Sequence, residues 1–179
     1  NVIHHLGARP VFADIDSETF NIDPDAVSAA VTPRTRAIIP VHYAGQPCDM
    51  DRIMHLVEKN HLRVIEDAAH ALGAQYRGRK IGGSGNLTCF SLFPTKNITA
   101  GQGGMVTLND PDKDKRLRRL RLHGMSKDGW KRYAKEGSWY YEIHEAGYKC
   151  NLSDINAALA LTQLKRLDAL NRNRAEMAG

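Results

Sequence analysis

The chain has 179 residues, of which 42% are hydrophobic and 25% charged, a composition ordinary for a globular domain with one sizeable core. No apolar run is long enough for a membrane-spanning helix, and no secretory leader is visible. The net charge of +5 is too small to indicate nucleic-acid binding but suits an anionic small molecule. Cys48, Cys89 and Cys150 lie far apart, which predicts neither a disulfide framework nor a zinc site and fits a reducing cytoplasm.

Short apolar segments alternate with helical segments along the first two thirds of the chain. The predicted strands are 11–13, 37–41, 62–65, 87–92 and 105–108. Asp23 and Asp49 have the character of N-caps and predict helices directly after them. Residues 76–81 predict a small hairpin with Gly78 in its turn. Strands separated by helices of about ten residues are typical of βαβ units, so we expect an α/β fold with a largely parallel sheet.

Three later segments carry distinct predictions. The basic run 113–121 is interpreted as the solvated face of a helix rather than a nucleic-acid arm. Residues 123–152 lack periodicity and mix aromatic with basic side chains, which favours either a nucleotide-binding segment or a dimer-contact loop. Asp154 to Met177 is predicted as one helix, buried as far as Leu164 because it is apolar on nearly all sides.

Polar side chains gather where two predicted strands end. Asp67 and His70 follow one strand, while Ser91 and Lys96 lie at the end of the next. In parallel sheets, ligands bind beyond the carboxyl ends of the strands. A lysine at such a desolvated edge loses its proton more easily and is a candidate to form a Schiff base. An aldehyde cofactor with a phosphate and a basic ring nitrogen would use the amine, the carboxylate and the hydroxyl.

Each of these residues also has an ordinary structural interpretation. Lys96 could be a surface lysine, and Asp67 could cap a helix. His70 could lie on a helix face, and Ser91 could be a satisfied hydroxyl within a strand. The chain has no HExxH pattern, so we predict no metal site. It also has no GxxxxGK[ST] pattern, which argues against a nucleotide hydrolase.

The segment VIEDAAHALGAQYRGRKIGGSGNLTCFSLFPTKNITAGQGGMV resembles the central block of the DegT/DnrJ/StrS sugar aminotransferases. These are pyridoxal 5'-phosphate enzymes with the aspartate aminotransferase fold, fold type I. The resemblance runs from ARPVFADID to GYKCNLSDINAALALTQLKRLD. It implies a mostly parallel, seven-stranded-type sheet in a three-layer αβα arrangement. Family members are nearly twice as long, so residues 1–179 should be the central part of the PLP-binding large domain. The N-terminal phosphate-loop segment and the C-terminal small domain would lie outside this chain.

The resemblance assigns roles residue by residue. Lys96 matches the lysine that forms the aldimine, and Asp67 matches the acid paired with the pyridine nitrogen. His70 matches the residue beside the ring phenolate, and Ser91 matches a phosphate ligand. Dehydratase members of the family carry histidine in place of the aldimine lysine. Because this chain keeps the lysine, the resemblance favours transamination.

Through the GYKCN segment, the resemblance implies a homodimer with shared active sites. In the family this region reaches the neighbouring subunit's pocket and touches the cofactor phosphate, which would give Lys149 and Asn151 that role. Alternatively, Lys149 is solvated and Asn151 caps the helix that begins near Ser153. Lysine at 149, where many relatives have asparagine, also occurs in the aminoarabinose aminotransferases of lipid A modification. Gln102 departs from the glutamate that relatives often carry.

The implied function is transfer of an amino group, by resemblance from L-glutamate, to a keto group of a nucleotide-activated sugar. Such sugars enter cell-surface polysaccharides, lipopolysaccharides or antibiotics. The implied partners are the two substrates and a second copy of the chain, with no nucleic acid and no membrane. The alternative is a non-catalytic or regulatory homologue that keeps the same fold.

Overall fold

A computed structural model describes residues 1–126 and 141–179 of the chain. The helices in these ranges are α1 Val2–His5, α2 Pro24–Ala30, α3 Met50–Lys59, α4 Pro111–Leu120, α5 Asp154–Leu164 and α6 Leu167–Ala178, with a 3₁₀ turn at Tyr43–Gly45. The strands are β1 Ala37–Ile38, β2 Arg63–Asp67, β3 Gln75–Tyr76, β4 Arg79–Lys80, β5 Leu87–Ser91 and β6 Gly104–Thr107. None of the helices in these two ranges is both long enough and apolar enough to cross a membrane.

The main sheet has the strand order β1-β2-β5-β6. β1, β2 and β5 run parallel, and β6 pairs antiparallel with β5. In β2, Val64 and Glu66 are buried on one face, while Ile65 and Asp67 are half-buried on the other. The chain therefore has the predicted α/β fold with a mostly parallel sheet, and the described residues contribute four strands to it.

Capping side chains begin the helices where the sequence predicts. The Asp23 side chain accepts the Asp25 N–H, and Pro24 occupies the first turn of α2. The Asp49 side chain accepts the Arg52 N–H at the start of α3. The apolar stripe of α3 packs against the sheet in a cluster that contains Val27, Ile38, Cys48, Met50, Ile53, Val57 and Val64. This packing covers one face of the sheet near β1 and β2.

The predicted hairpin is confirmed. β3 and β4 pair antiparallel, with Gln75 opposite Lys80 and Tyr76 opposite Arg79. Its turn residues Arg77 and Gly78 both have positive φ, 49° and 78°. A two-residue turn with positive φ at both positions matches the twist of the flanking strands, and glycine adopts that conformation without steric cost.

The predicted strand at 11–13 is wrong. Residues 11–13 form no strand, and Phe12 is 93% exposed. Nearby, only an isolated bridge joins Ile15 to Ile22. Three apolar residues have too few backbone groups to hold a strand unless a neighbouring strand pairs with them, and no described segment does so.

The long C-terminal helix is also different from the prediction. Two helices, α5 and α6, are separated at Lys165 and Arg166. Most of the apolar surface of α5 is open, and Ile155 is 77% exposed. Only one side of the pair is covered, where Ala160 and Leu167 pack with Leu92, Ile98 and Ala100. Apolarity on all sides predicted burial, but the described residues supply a partner for one side only.

Candidate active site

The candidate site lies where β2 and β5 end side by side. Asp67 is the last residue of β2, and Ser91 is the last residue of β5. The parallel register places Asp67 opposite Cys89, so Ser91 lies two residues further towards the same edge of the sheet. Burial, and after it the charge of Asp67, raise the pKa of Cys89, as expected for neighbouring side chains. The two polar strand ends thus meet as the sequence predicts.

Asp67 is half-buried, and one of its two carboxylate oxygens accepts a hydrogen bond. Its Oδ1 accepts the Ala69 N–H at 3.0 Å. Its backbone is tied on the β1 side, because Asp67 N–H donates to the Pro40 carbonyl at 2.8 Å and His42 N–H donates to the Asp67 carbonyl at 3.0 Å. The residues after Asp67 form turns and no helix. The alternative that Asp67 caps a helix is therefore wrong, and its other oxygen has no hydrogen bond within the described residues.

His70 lies half-buried in the turn that follows Asp67. Its ring contacts the ring of Tyr43 in an edge-on arrangement, with centroids 6.3 Å apart and planes at 62°. The adjoining 3₁₀ turn requires Gly45, which has a φ of 88°. A Cβ at that position would lie 3.0 Å from the His70 carbonyl oxygen. The turn and the aromatic contact together hold His70 beside the end of β2.

Lys96 lies in an irregular loop between β5 and β6, which we call the lysine loop (residues 93–103). The Ser91 hydroxyl accepts the Phe93 N–H at 3.3 Å, and Lys96 N–H donates to the Phe93 carbonyl at 3.0 Å. The Lys96 side chain is half-buried, which differs from the alternative of a plain surface lysine. Its amine forms no hydrogen bond or ion pair with any residue in the described part of the chain. A half-buried lysine thus lies beyond β5, and its amine has no partner among the described residues.

Lys149 and Asn151 come shortly before Leu152, which packs against Leu92 and the lysine loop. Both are exposed, and Lys149 forms an isolated bridge with Leu122. No hydrogen bond or ion pair within residues 1–126 and 141–179 joins either one to the ends of β2 and β5. Helix α5 is capped by Ser153, whose hydroxyl accepts the Asn156 N–H at 3.2 Å, so the alternative cap role of Asn151 is wrong. Residues 127–140 of the aromatic and basic segment, which include Trp130, Trp139 and Lys135, lie outside the described residues.

A buried polar network, which sequence reasoning missed, supports β2 on the face opposite Asp67. Glu66 is 1% exposed, and its Oε2 lies 3.0 Å from Nε2 of the fully buried His42. His42 Nδ1 accepts the Cys48 N–H, so the proton on Nε2 donates to Glu66. Ser84 and Asn86 donate to the other Glu66 oxygen at 2.8 and 2.7 Å. Burial raises the pKa of Glu66, but these hydrogen bonds outweigh it and hold the pKa below its ordinary value.

Side-chain amides of α5 hold the lysine loop, and these contacts were also missed. Gln163 exchanges two hydrogen bonds with the Thr99 backbone, and Asn156 donates to the Ala100 carbonyl at 2.8 Å. Arg174 of α6 donates to the Asn97 carbonyl at 2.8 Å. The sequence signal that could have revealed these contacts is the pair of amides, seven residues apart, in the mostly apolar segment NAALALTQL.

The described residues of the site form no metal-binding cluster. Within the two described ranges, no group of three or more His, Cys, Asp or Glu side chains could hold a metal ion. The chemistry of the strand ends is instead that of a carboxylate, an imidazole, a hydroxyl and an amine on neighbouring connections.

Comparison with known proteins identifies relatives along the whole chain. The uncharacterized protein MJ1066 of Methanocaldococcus jannaschii is 55% identical over 178 residues, 99% of this chain and 46% of that protein. The spore coat polysaccharide biosynthesis protein SpsC of Bacillus subtilis is 54% identical over 179 residues, 100% of this chain and 46% of that protein. The chain thus spans about half the length of the curated relatives it matches.

Solved structures give the same result. The putative sugar aminotransferase Spr1654 from Streptococcus pneumoniae, in its PMP form, superposes with a TM-score of 0.90 at 37% identity, covering 99% of this chain and 49% of that chain. Its PLP form has a TM-score of 0.88. The DegT/DnrJ/EryC1/StrS aminotransferase family matches residues 1–179. With the fold, the sequence match and the relatives in agreement, the chain belongs to the DegT/DnrJ/EryC1/StrS aminotransferase family.

Proposed function

We propose that the chain is the cofactor-binding part of a pyridoxal 5'-phosphate-dependent aminotransferase that acts on nucleotide-activated sugars. One observation carries the proposal: Lys96 is half-buried, its amine has no described partner, and it follows the strand next to the one that ends in Asp67. Family membership and the PLP and PMP forms of the similar Spr1654 support the choice of cofactor.

The residues at this sheet edge suit that cofactor. Lys96 would bind the cofactor aldehyde covalently, and the Asp67 oxygen that accepts no described hydrogen bond would pair with the ring nitrogen. The Ser91 hydroxyl would take a phosphate oxygen, and His70 would lie beside the ring. When bound, the cofactor supplies the electron sink for the reaction. A site without a free amine or a free carboxylate oxygen would not fit it.

The protein's own side chains would then have separate tasks. Asp67, with one oxygen fixed by the Ala69 N–H, would hold a proton on the ring nitrogen. Lys96, once released from the cofactor, would act as the general base that moves a proton at the reacting carbon of the substrate.

We propose L-glutamate as the amino donor and a keto sugar linked to a nucleoside diphosphate as the acceptor. The name of the similar SpsC, a spore coat polysaccharide biosynthesis protein, supports a role in making cell-surface sugars. Lipopolysaccharide and antibiotic sugars are other products that such a reaction supplies. Residues 1–179 would be the central part of the large domain, with the phosphate-loop segment and the small domain elsewhere in the full-length protein.

Covalent labelling tests the assignment of Lys96. The full-length protein that contains this chain should be yellow, and borohydride reduction followed by peptide mapping should place the pyridoxyl group on Lys96. The variant Lys96→Ala should lose the label, whereas Lys59→Ala, at the exposed end of α3, should keep it. A colourless protein without label would favour the non-catalytic alternative, and a label on another lysine would contradict the site.

We further propose a homodimer in which Lys149 and Asn151 reach the partner's cofactor phosphate. Both residues are exposed within the described chain, so they are available to a second copy. Mixing inactive full-length Lys96→Ala and Lys149→Ala proteins tests this. If Lys149 acts in the partner's site, each mixed dimer has one site with both defects and one with neither, and activity returns. No recovery after verified subunit exchange would place Lys149 elsewhere.

A further inference from the structure

Gln163 pairs with the lysine loop as a neighbouring strand would. The Thr99 N–H donates to Gln163 Oε1 at 3.1 Å, and Gln163 Nε2 donates to the Thr99 carbonyl at 2.8 Å. The side-chain amide therefore satisfies both polar groups of one residue's backbone. Thr99 lies three residues after Lys96 and 64 residues before Gln163. The contact thus joins the lysine loop to a distant part of the chain.

The lysine loop needs such support because it has no strand partner of its own. Its apolar side chains Ile98 and Ala100 are buried against Leu92, Ala160 and Leu167. Buried backbone groups must find hydrogen-bond partners. The Thr99 hydroxyl donates to the Leu92 carbonyl at 3.0 Å. The N–H and the carbonyl of Thr99 itself bond to the side chain of Gln163.

Asn156 extends the same support by two turns of α5. Its Nδ2 donates to the Ala100 carbonyl at 2.8 Å and lies 3.4 Å from the Gln102 carbonyl. Its Oδ1 accepts from the Ser153 hydroxyl at 2.8 Å, which fixes the orientation of the amide. Asn156, Ala160 and Gln163 share one face of the helix, since they lie four and three residues apart. This face of α5 is polar only where it contacts the loop.

We propose that Gln163 is a positioning residue that holds Lys96 at the distance and angle needed to bind the cofactor, with Asn156 in a supporting role. The proposal rests on the proposed function of Lys96. Gln163 fixes the Thr99 backbone and does not itself touch the reacting atoms. A shift in Thr99 would move the adjoining backbone of Lys96, and reactions between bound groups are very sensitive to such displacement.

Two forms of the cofactor separate positioning from general support of the fold. Pyridoxal phosphate is captured by the lysine amine, whereas pyridoxamine phosphate carries an amine instead of the aldehyde and forms no bond with lysine. If Gln163 positions Lys96, its loss slows the capture of pyridoxal phosphate and leaves the binding of pyridoxamine phosphate unchanged. If Gln163 only stabilises the fold, its loss weakens the capture of pyridoxal phosphate and the binding of pyridoxamine phosphate to the same extent.

The experiment uses the full-length apoprotein and the variant Gln163→Met, which keeps the side-chain length and removes both hydrogen bonds. Thr162→Val is the matched control, because among the described residues the Thr162 hydroxyl bonds only to the Leu159 carbonyl of its own helix. Stopped-flow absorbance follows the capture of pyridoxal phosphate, and calorimetry gives the affinity for pyridoxamine phosphate. We expect Gln163→Met to slow capture by about tenfold or more, with affinity for pyridoxamine phosphate within about twofold of wild type.

Two results would overturn the proposal. In the first, Gln163→Met captures pyridoxal phosphate at a rate within about twofold of the Thr162→Val control. In the second, the capture rate and the affinity for pyridoxamine phosphate fall by the same factor. If Gln163→Met does not fold, Gln163→Glu carries the test, because it keeps the oxygen that accepts the Thr99 N–H and loses only the donor. Peptide mapping of reduced wild-type protein runs in parallel. A label away from Lys96 would refute the proposed site itself, whereas a label on Lys96 with normal capture by the variant refutes only this inference.

Discussion

The two strand ends of the candidate site are supported in different ways. The end of β2 is backed by a buried network in which His42 and Glu66, 24 residues apart, share a hydrogen bond of 3.0 Å. The end of β5 leads into an irregular loop whose conformation depends on Gln163, 64 residues from its partner Thr99. The carboxylate that would hold the cofactor is thus fixed by its surroundings in the sheet, whereas the lysine is held by a helix from much later in the chain.

This difference predicts that substitutions behind β2 and substitutions on α5 have different effects. A change behind β2 disturbs a buried charged group, and it should affect the stability of the fold. A change on α5 loosens the lysine loop, and it should affect the reaction before it affects stability. The predictions below test this separation, from the largest expected effect to the smallest.

The largest effect should come from Asp67→Asn at the end of β2. The amide keeps the size of the side chain and can still accept the Ala69 N–H, so the protein should fold normally. It cannot hold a proton on the ring nitrogen, and we expect kcat to fall by about 10²–10⁴-fold. Steady-state kinetics and circular dichroism of the full-length variant measure the two quantities. A near wild-type kcat would refute the role of Asp67, and an unfolded variant would refute the separation of function from stability.

The next largest effect should come from His42→Ala behind the same strand. Among the described residues, removing His42 leaves the buried Glu66 with hydrogen bonds from Ser84 and Asn86 alone, and we expect the free energy of unfolding to fall by about 3 kcal/mol. The matched control is Lys80→Ala, which breaks the exposed ion pair with Asp168 and should cost less than about 1 kcal/mol. Urea unfolding of both full-length variants gives the comparison. Equal losses would mean that the buried network contributes no more than a surface pair.

The smallest effect should appear in the pH dependence of stability. Hydrogen bonds to Glu66, prevailing over burial, hold its pKa below the ordinary value of 4.5. A lowered pKa in the folded state means that the network stabilises the protein above pH 4.5 and that this contribution disappears as the pH falls through the folded-state value. The stability difference between wild type and Glu66→Gln should therefore shrink in acid. A difference that stays constant from pH 7 to acid would contradict the ionised state of Glu66.

Much of the fold was predictable because the signals were local. Asp23 and Asp49 begin helices through their own side chains, and Gly78 forms its turn within the hairpin. The grouping of Asp67 with Ser91 followed from one general property of parallel sheets. In these cases the residues that determine the structure are close neighbours in the sequence or belong to a regular pattern.

The remaining features depend on contacts between distant residues, which a single sequence does not display. Nothing near Gln163 indicates that its amide binds Thr99, and nothing near Glu66 indicates that His42 lies beneath it. The predictions of a strand at Phe12 and of a buried helix at Ile155 were wrong for a related reason. Apolar side chains predict burial without indicating which surface would cover them. The role of Lys149 stays a prediction, because it depends on a second copy of the chain.

The long separation between Gln163 and Thr99 also has a consequence for the order of folding. Closing a long loop costs more chain entropy than closing a short one, and distant contacts form later as a rule. We expect the sheet around β2, with its network of nearer partners, to form before α5 docks on the lysine loop. During synthesis on the ribosome, the lysine would emerge well before the helix that shapes its loop. The ability to capture the cofactor would therefore mark the completion of this part of the fold.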